Sequence, residues 1–246
     1  MLEKSDRVKR LSGSERSQRP AVVPKGAIRL DMGEPDFATP AHVQEAAGRA
    51  MRDNLTHYGS AYGELALREA ICLSLKRDFG VERKPENVLV TSGGIEAIHV
   101  ISATYLNNGD EALIPDPEYS AYADSVALFG GTPVFVPLKE DFHIDFEALE
   151  QRISQKTKIV FISSPGNPTG RVLREDEIRS LARLAVEKDF LLVLDEAYHK
   201  LIYSGVRFLS ICQVEEARSR SILLNSFSKT YAMTGWRVGF IAANPE

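Results

Sequence analysis

Phe190-Leu191-Leu192-Val193-Leu194-Asp195-Glu196-Ala197-Tyr198 is a β-rich apolar run that stops at a carboxylate. Lys158-Ile159-Val160-Phe161-Ile162-Ser163-Ser164-Pro165-Gly166-Asn167-Pro168-Thr169-Gly170 repeats the pattern, with an amide just past the run. A third stretch, Ser226-Phe227-Ser228-Lys229-Thr230-Tyr231-Ala232-Met233-Thr234-Gly235-Trp236-Arg237, puts a lysine at the end of an apolar segment, among small hydroxyl residues. In an open parallel sheet, ligands gather outside the carboxyl ends of the strands, so Asn167, Asp195 and Lys229 are expected to project into one crevice. A lysine held beside apolar walls or other cations loses proton affinity, and its neutral amine can attack a carbonyl to form an imine. A lone lysine in such a loop is ordinarily a surface residue, and here its company argues otherwise.

From Lys84 onward strand-like and helix-like segments alternate without an internal repeat, which predicts an α/β fold. The expected strands are residues 87–91, 111–114, 132–136, 158–162, 190–194, 221–225 and 237–242, enough for one large sheet. Between them, residues 175–188 place Ile178, Leu181, Ala182 and Ala185 on one helical face, which should pack on the sheet. Upstream, Leu67, Ile71, Leu75 and Phe79 recur every four residues before Gly80, a residue suited to the left-handed conformation that stops a helix.

With 246 residues, 43% of them hydrophobic, the chain can bury a substantial core. A net charge of only -4, with no Lys/Arg-rich block in the folded part, gives no reason to expect nucleic acid or an anionic membrane as partner. Cys72 and Cys212 are too few for a disulfide framework or a CxxC site, and His57, His99 and His199 show no metal-ligand spacing. No metal is therefore expected, and a reduced, cytoplasmic setting is. No stretch of about 18 apolar residues offers a membrane span, and residues 1–20 are too polar for a signal-peptide core. The basic start, with Lys4, Arg7, Lys9, Arg10, Arg16 and Arg19, reads as a flexible arm over residues 1–28; Glu3, Asp6 and Glu15 argue against an organelle transit peptide.

Gly93-Gly94 follows the strand Val88-Leu89-Val90-Thr91 and opens a helical run, so backbone N–H groups there can face an anion without side-chain obstruction. On its own this is more often a plain tight strand-to-helix turn. Taken together, these runs resemble the class I and II aminotransferases, the large fold-type I group of pyridoxal 5'-phosphate (PLP) enzymes. The landmarks occur in family order: Gly33-Glu34-Pro35-Asp36-Phe37, His57-Tyr58, Thr91-Ser92-Gly93-Gly94-Ile95-Glu96-Ala97, Pro115-Asp116-Pro117-Glu118-Tyr119, Asn167-Pro168-Thr169-Gly170, Asp195-Glu196-Ala197-Tyr198 and Ser226-Phe227-Ser228-Lys229. The resemblance implies a seven-stranded, mostly parallel sheet with helices on both faces, the PLP-binding large domain of that fold, over residues 29–246.

The resemblance also implies roles. The N–H groups of Gly93, Gly94 and Ile95 hold the cofactor phosphate with Ser226, Ser228 and Arg237, whose guanidinium can form two parallel charge-assisted hydrogen bonds. Tyr119 stacks on the pyridine ring, Asp195 pairs with the ring nitrogen, and Asn167 and Tyr198 partner the ring oxygen. Lys229 holds PLP as a Schiff base and, once displaced by the amino acid, carries the proton from substrate Cα, so that one residue is anchor and general base. Gly33 brings backbone close to the substrate carboxylate, and Tyr58 reaches across a two-fold homodimer to the neighbouring phosphate. The implied activity is ping-pong transfer of an amino group between an L-amino acid and a 2-oxo acid.

Full-length members of the family continue into a smaller domain whose arginine binds the substrate α-carboxylate. Here the sequence stops just after the apolar strand Val238-Gly239-Phe240-Ile241-Ala242, without linker composition. The expectation is a large domain that is incomplete, with the C-terminal small domain and its arginine missing. A PLP-dependent carbon-sulfur lyase on the same fold, or a non-catalytic PLP-binding fragment, are the alternatives to an aminotransferase.

Overall fold

The structure is a computed structural model that describes residues 2–11, 24–28, 33–203 and 205–245. Glu15, Arg16 and Arg19 of the expected arm and the terminal Glu246 lie outside the described residues. Within that arm, Asp6–Arg10 form a short helix, α1, whose N-cap Ser5 accepts a hydrogen bond from the Val8 N–H. Then come α2 (Ala41–Arg52), α3 (Leu65–Phe79), β1 (Val88–Thr91), α4 (Gly93–Tyr105), β2 (Glu111–Asp116), α5 (Ala121–Leu128) and β3 (Thr132–Pro137). They are followed by α6 (Phe146–Arg152), β4 (Thr157–Ser163), α7 (Glu175–Glu187), β5 (Leu191–Asp195), β6 (Ser221–Ser226), α8 (Phe227–Thr230) and β7 (Gly239–Ala242). No helix among the described residues is long and apolar enough to cross a membrane.

The seven strands form one sheet in the order β1-β7-β6-β5-β4-β2-β3. β2, β3, β4, β5 and β6 pair in parallel, whereas β7 runs antiparallel between β1 and β6. Near-continuous apolar strands demand cover on both faces, and the side chains alternate accordingly. Ile159, Phe161, Val193 and Leu224 pack under α4 and α5 against Ile98, Ile101 and Tyr122. Val160, Ile162, Leu192 and Leu194 pack on the opposite face against Ile71 and Leu75 of α3 and Ile178 and Leu181 of α7. Each fully buried Leu or Ile contributes about 1.5–3 kcal/mol, which makes β4 and β5 the anchor of the sheet.

Local chemistry sets the element ends. Gly80 takes φ 71° after α3, and its N–H donates to Lys76 O at 2.9 Å. Glu177 reaches back to the Arg174 N–H at 2.8 Å and closes the first turn of α7. Pro133 and Pro137 are tolerated because β3 is an edge strand, and Pro115 lies beyond the last β2–β4 pair, Leu113 with Val160. The final strand begins at Gly239, two residues later than its apolar pattern predicts, because Arg237 sits in a left-handed conformation at φ 57°.

Candidate functional site

Because β7 alone is reversed, the C-terminal ends of β1, β2, β4, β5 and β6 share one edge with the start of β7. Ser163 is level with Asp195, and Gly239 is level with both Thr91 and Ser226. The turns after those strands therefore deliver Gly93, Tyr119, Asn167, Tyr198 and Lys229 to the same side, as the crevice argument requires.

At one end of this edge is an anion cradle. α4 begins at Gly93, whose φ is +76°, and Ser92 at its N-cap makes no side-chain hydrogen bond to the first turn. A Cβ on Gly93 would sit 2.3 Å from Arg237 Nη2, so only glycine lets the guanidinium come this close to the helix N-terminus. A Cβ on Gly94 would lie 3.9 Å from Ser226 Cβ, and one on Gly239 would meet the Gly93 carbonyl carbon at 2.8 Å. Arg237 Nη1 donates to Thr234 O at 2.8 Å, which steadies an otherwise exposed guanidinium. Ser226 is buried, caps α8 by accepting from the Ser228 N–H at 3.2 Å, and keeps its own hydroxyl proton to give. Uncapped helix N–H groups, a hydroxyl and a guanidinium make a donor set for a phosphate. Ile95 and the buried Ser228 belong to the same two turns.

At the other end Asp195 is buried. Its Oδ1 accepts from the Ala197 N–H and its Oδ2 from the Tyr122 hydroxyl, both at 3.0 Å. Burial pushes its pKa up to about 6, against the lowering effect of these two bonds and of Lys229. Tyr122 stacks on Phe161 at 5.2 Å between ring centroids and meets Tyr119 edge to face at 5.6 Å. Tyr122 is a site residue that the sequence reading missed; its position three residues after Tyr119, on the buried face of α5, was the available signal.

Lys229 lies between the two ends. Its half-buried amine donates to the Gly33 carbonyl and stands 5.8 Å from the centroid of the Tyr198 ring. Burial lowers its pKa; Glu34 and Asp195 pull it up and Arg237 pushes it down. Residues 33–39 strap across the lysine turn: Glu34 bonds Thr234, Thr39 Oγ1 donates to Ala232 O at 2.6 Å, and Trp236 Nε1 donates to Thr39 Oγ1 at 3.1 Å. Asn167 Nδ2 donates to the Tyr198 hydroxyl at 3.4 Å, and a Cβ on Gly33 would sit 3.7 Å from that same hydroxyl. Burial raises the Tyr198 pKa to about 12, so the phenol stays protonated and can donate. Tyr58 is the exception: it stands fully exposed after α2, outside this hydrogen-bonded cluster.

Comparison with known proteins follows the same lines. Residues 25–246 match the family described as aminotransferase class I and II. The chain is 42% identical over 225 residues to aromatic-amino-acid aminotransferase 2 of Thermococcus litoralis, covering 90% of this chain and 58% of that protein. It is 42% identical over 222 residues to an aspartate aminotransferase of Pyrococcus abyssi, covering 89% and 57%. Among solved structures, a tetra mutant of Thermus thermophilus aspartate aminotransferase superposes with a TM-score of 0.88 at 37% identity, over 100% of this chain and 64% of that one. An aromatic aminotransferase from Pyrococcus horikoshii gives 0.83 at 43% identity, over 87% and 58%. The chain thus spans somewhat under two thirds of the length of these relatives.

Proposed function

We propose, from the premise that the chain belongs to the class I and II aminotransferase family, that it binds PLP and transfers an amino group between an L-amino acid and a 2-oxo acid. The observation that carries this reading is the placement of the Lys229 amine, its proton affinity lowered, between a buried carboxylate and an open anion cradle. The residues present fit the cofactor: the cradle that a Gly93 Cβ would fill suits its phosphate, and the hydrogen-bonded Asp195 suits its ring nitrogen.

Bound PLP supplies an electron-withdrawing ring that takes up the charge left when an amino acid loses its Cα proton. The chain's own side chains do the rest. Arg237, Ser226, Ser228 and the first N–H groups of α4, including those of Gly94 and Ile95, hold the phosphate. Asp195, pre-paired with Tyr122 and Ala197, keeps a proton on the ring nitrogen, because an anion at that point favours the protonated ring. Asn167 and Tyr198 donate to the ring oxygen, and Tyr119 offers its aromatic face. Lys229 would be the covalent anchor and then the base for the Cα proton, a role that its burial-lowered proton affinity favours. The names of the relatives make aspartate and the aromatic amino acids the first donors to try. The reading extends to a cytoplasmic homodimer with residues 1–28 as an arm: both cysteines are free and buried, as suits a reducing compartment, and the exposed Tyr58 is available to a second copy.

Borohydride reduction of PLP-loaded protein followed by peptide mapping tests the central assignment. The cofactor should be found covalently on Lys229. Recovery on another lysine, or on none in folded protein, overturns it.

A further inference from the structure

Glu118 is absent from the roles above, yet three hydrogen bonds and a buried arginine hold it. Its side chain is only 2% exposed. Oε1 accepts from the Ser163 hydroxyl and from the Tyr119 N–H, the latter at 3.3 Å, and Oε2 accepts from the Ser163 N–H at 3.2 Å. Arg171, equally buried, stands 3.5 Å from Oε2 and ties itself to Ser163 O at 3.0 Å and to Phe142 O at 2.9 Å. The Ser163 hydroxyl gives its proton to Glu118 and accepts the Asn167 N–H at 3.0 Å.

These bonds join two turns 45 residues apart in sequence, one carrying Tyr119 and the other Asn167. We infer that Glu118 is a positioning residue: through the Ser163 hydroxyl and the Tyr119 N–H it fixes the backbone that carries Tyr119 and the backbone that carries Asn167 relative to one another. The carboxylate makes this possible because it accepts only. It forces the Ser163 proton toward itself and so leaves a lone pair for Asn167. Burial raises the Glu118 pKa to about 7, even with Arg171 and the Ser163 bonds holding it down. A charge retained at that cost, beside a buried arginine, is spent on directed hydrogen bonds. The inference rests on the reading that Tyr119 and Asn167 hold the cofactor ring, and it deepens that reading.

The test compares Glu118→Gln and Ser163→Ala with the unmodified chain at pH 8.5, where Glu118 is ionised. In protein without added cofactor, hydrogen exchange of the Asn167 N–H should accelerate about tenfold in both variants, with exchange in α4 unchanged. With PLP added, the dissociation constant should rise by about the same factor, and the pH at which the bound cofactor changes colour should shift. The double variant should lose less than the sum of the singles, because both act through one hydroxyl. A purely structural carboxylate would lower the melting temperature and leave these readouts in place. Ser163→Ala keeps the Glu118–Arg171 pair, so it decides the matter even if Glu118→Gln fails to fold. Unchanged Asn167 exchange and PLP affinity in a folded variant overturn the inference. An unmodified chain that takes up no PLP overturns the functional reading instead, and the cofactor-free exchange measurement still decides the coupling.

Discussion

The two ends of the crevice are organised by opposite physical means. At the Asp195 end, polar groups are buried and already paired: the carboxylate with Tyr122 and Ala197, and Glu118 with Ser163. At the Gly93–Arg237 end, donors are left open, and their order comes from backbone: a left-handed glycine, a helix N-terminus and a left-handed arginine. A buried carboxylate is costly to hold and easily changes its proton affinity. Helix N–H groups beside a solvent-exposed guanidinium need no buried charge to hold them. The first end therefore suits control of chemistry and the second suits grip, and the contrast can be broken by experiment.

The largest effect is expected at the buried end. Asp195→Asn keeps an acceptor for the Ala197 N–H and can donate from Nδ2 to the Tyr122 oxygen, so the fold should survive, but the anion proposed to face the ring nitrogen is lost. In turnover-competent protein, exchange of the substrate Cα hydrogen, followed by NMR with aspartate as donor, should slow on the order of 10²–10³-fold. PLP affinity should fall much less. Equal losses in exchange and in affinity would erase the distinction between chemistry and grip.

The open end should behave in reverse. Arg237→Ala is expected to weaken PLP binding by roughly 10–100-fold while leaving the affinity for pyridoxal, which lacks the phosphate, nearly unchanged. Gly93→Ala should act in the same direction but less, because the guanidinium can swing away from the new Cβ. It should also cost about 1–2 kcal/mol of stability, since φ +76° does not suit an L side chain. Fluorescence titration with both ligands checks the ratio. Parallel loss of PLP and pyridoxal would mean that the cradle does not read the phosphate.

The same contrast explains what the sequence revealed. The strands were legible because each is a continuous apolar run, and Lys229, Asp195 and Asn167 because each ends or follows such a run at the edge that carries the candidate site. The open cradle was legible too, since glycines after a strand and an arginine before one are local signals. The network around Glu118 was not: Glu118, Ser163 and Arg171 become partners only when β2 and β4 pair, and no local pattern marks them. Tyr122 was half visible, for its partner Asp195 lies 73 residues away. Tyr58 shows the converse, a motif residue read by resemblance that stands exposed, so the role proposed for it would need a second chain.

The smallest expected effect separates the two ends by pH. Glu196, next to Asp195, is fully enclosed: Oε2 accepts from Ser210 Oγ and Oε1 from the Ile211 N–H, both at 2.7 Å, and burial still pushes its pKa up to about 8. Glu118 at about 7 and Asp195 at about 6 are raised in the same way. A carboxyl whose folded pKa is raised contributes stability that is complete below its unfolded value, near 4–4.5, and that is lost as pH climbs through the folded value. Between pH 6.5 and 8.5 the lost part belongs mainly to Glu196 and Glu118. His199, which burial depresses, works in the opposite sense only as pH falls through its ordinary value near 6.5. The chain without cofactor should therefore melt roughly 5–10 °C higher at pH 6.5 than at pH 8.5. Glu196→Gln, which can accept from Ile211 and donate to Ser210 as the protonated acid would, should flatten most of that slope, whereas Arg237→Ala should leave it intact. A slope of the opposite sign, or one that Glu196→Gln does not touch, would mean that the carboxylate end is ionised throughout and is no more costly to hold than the cradle.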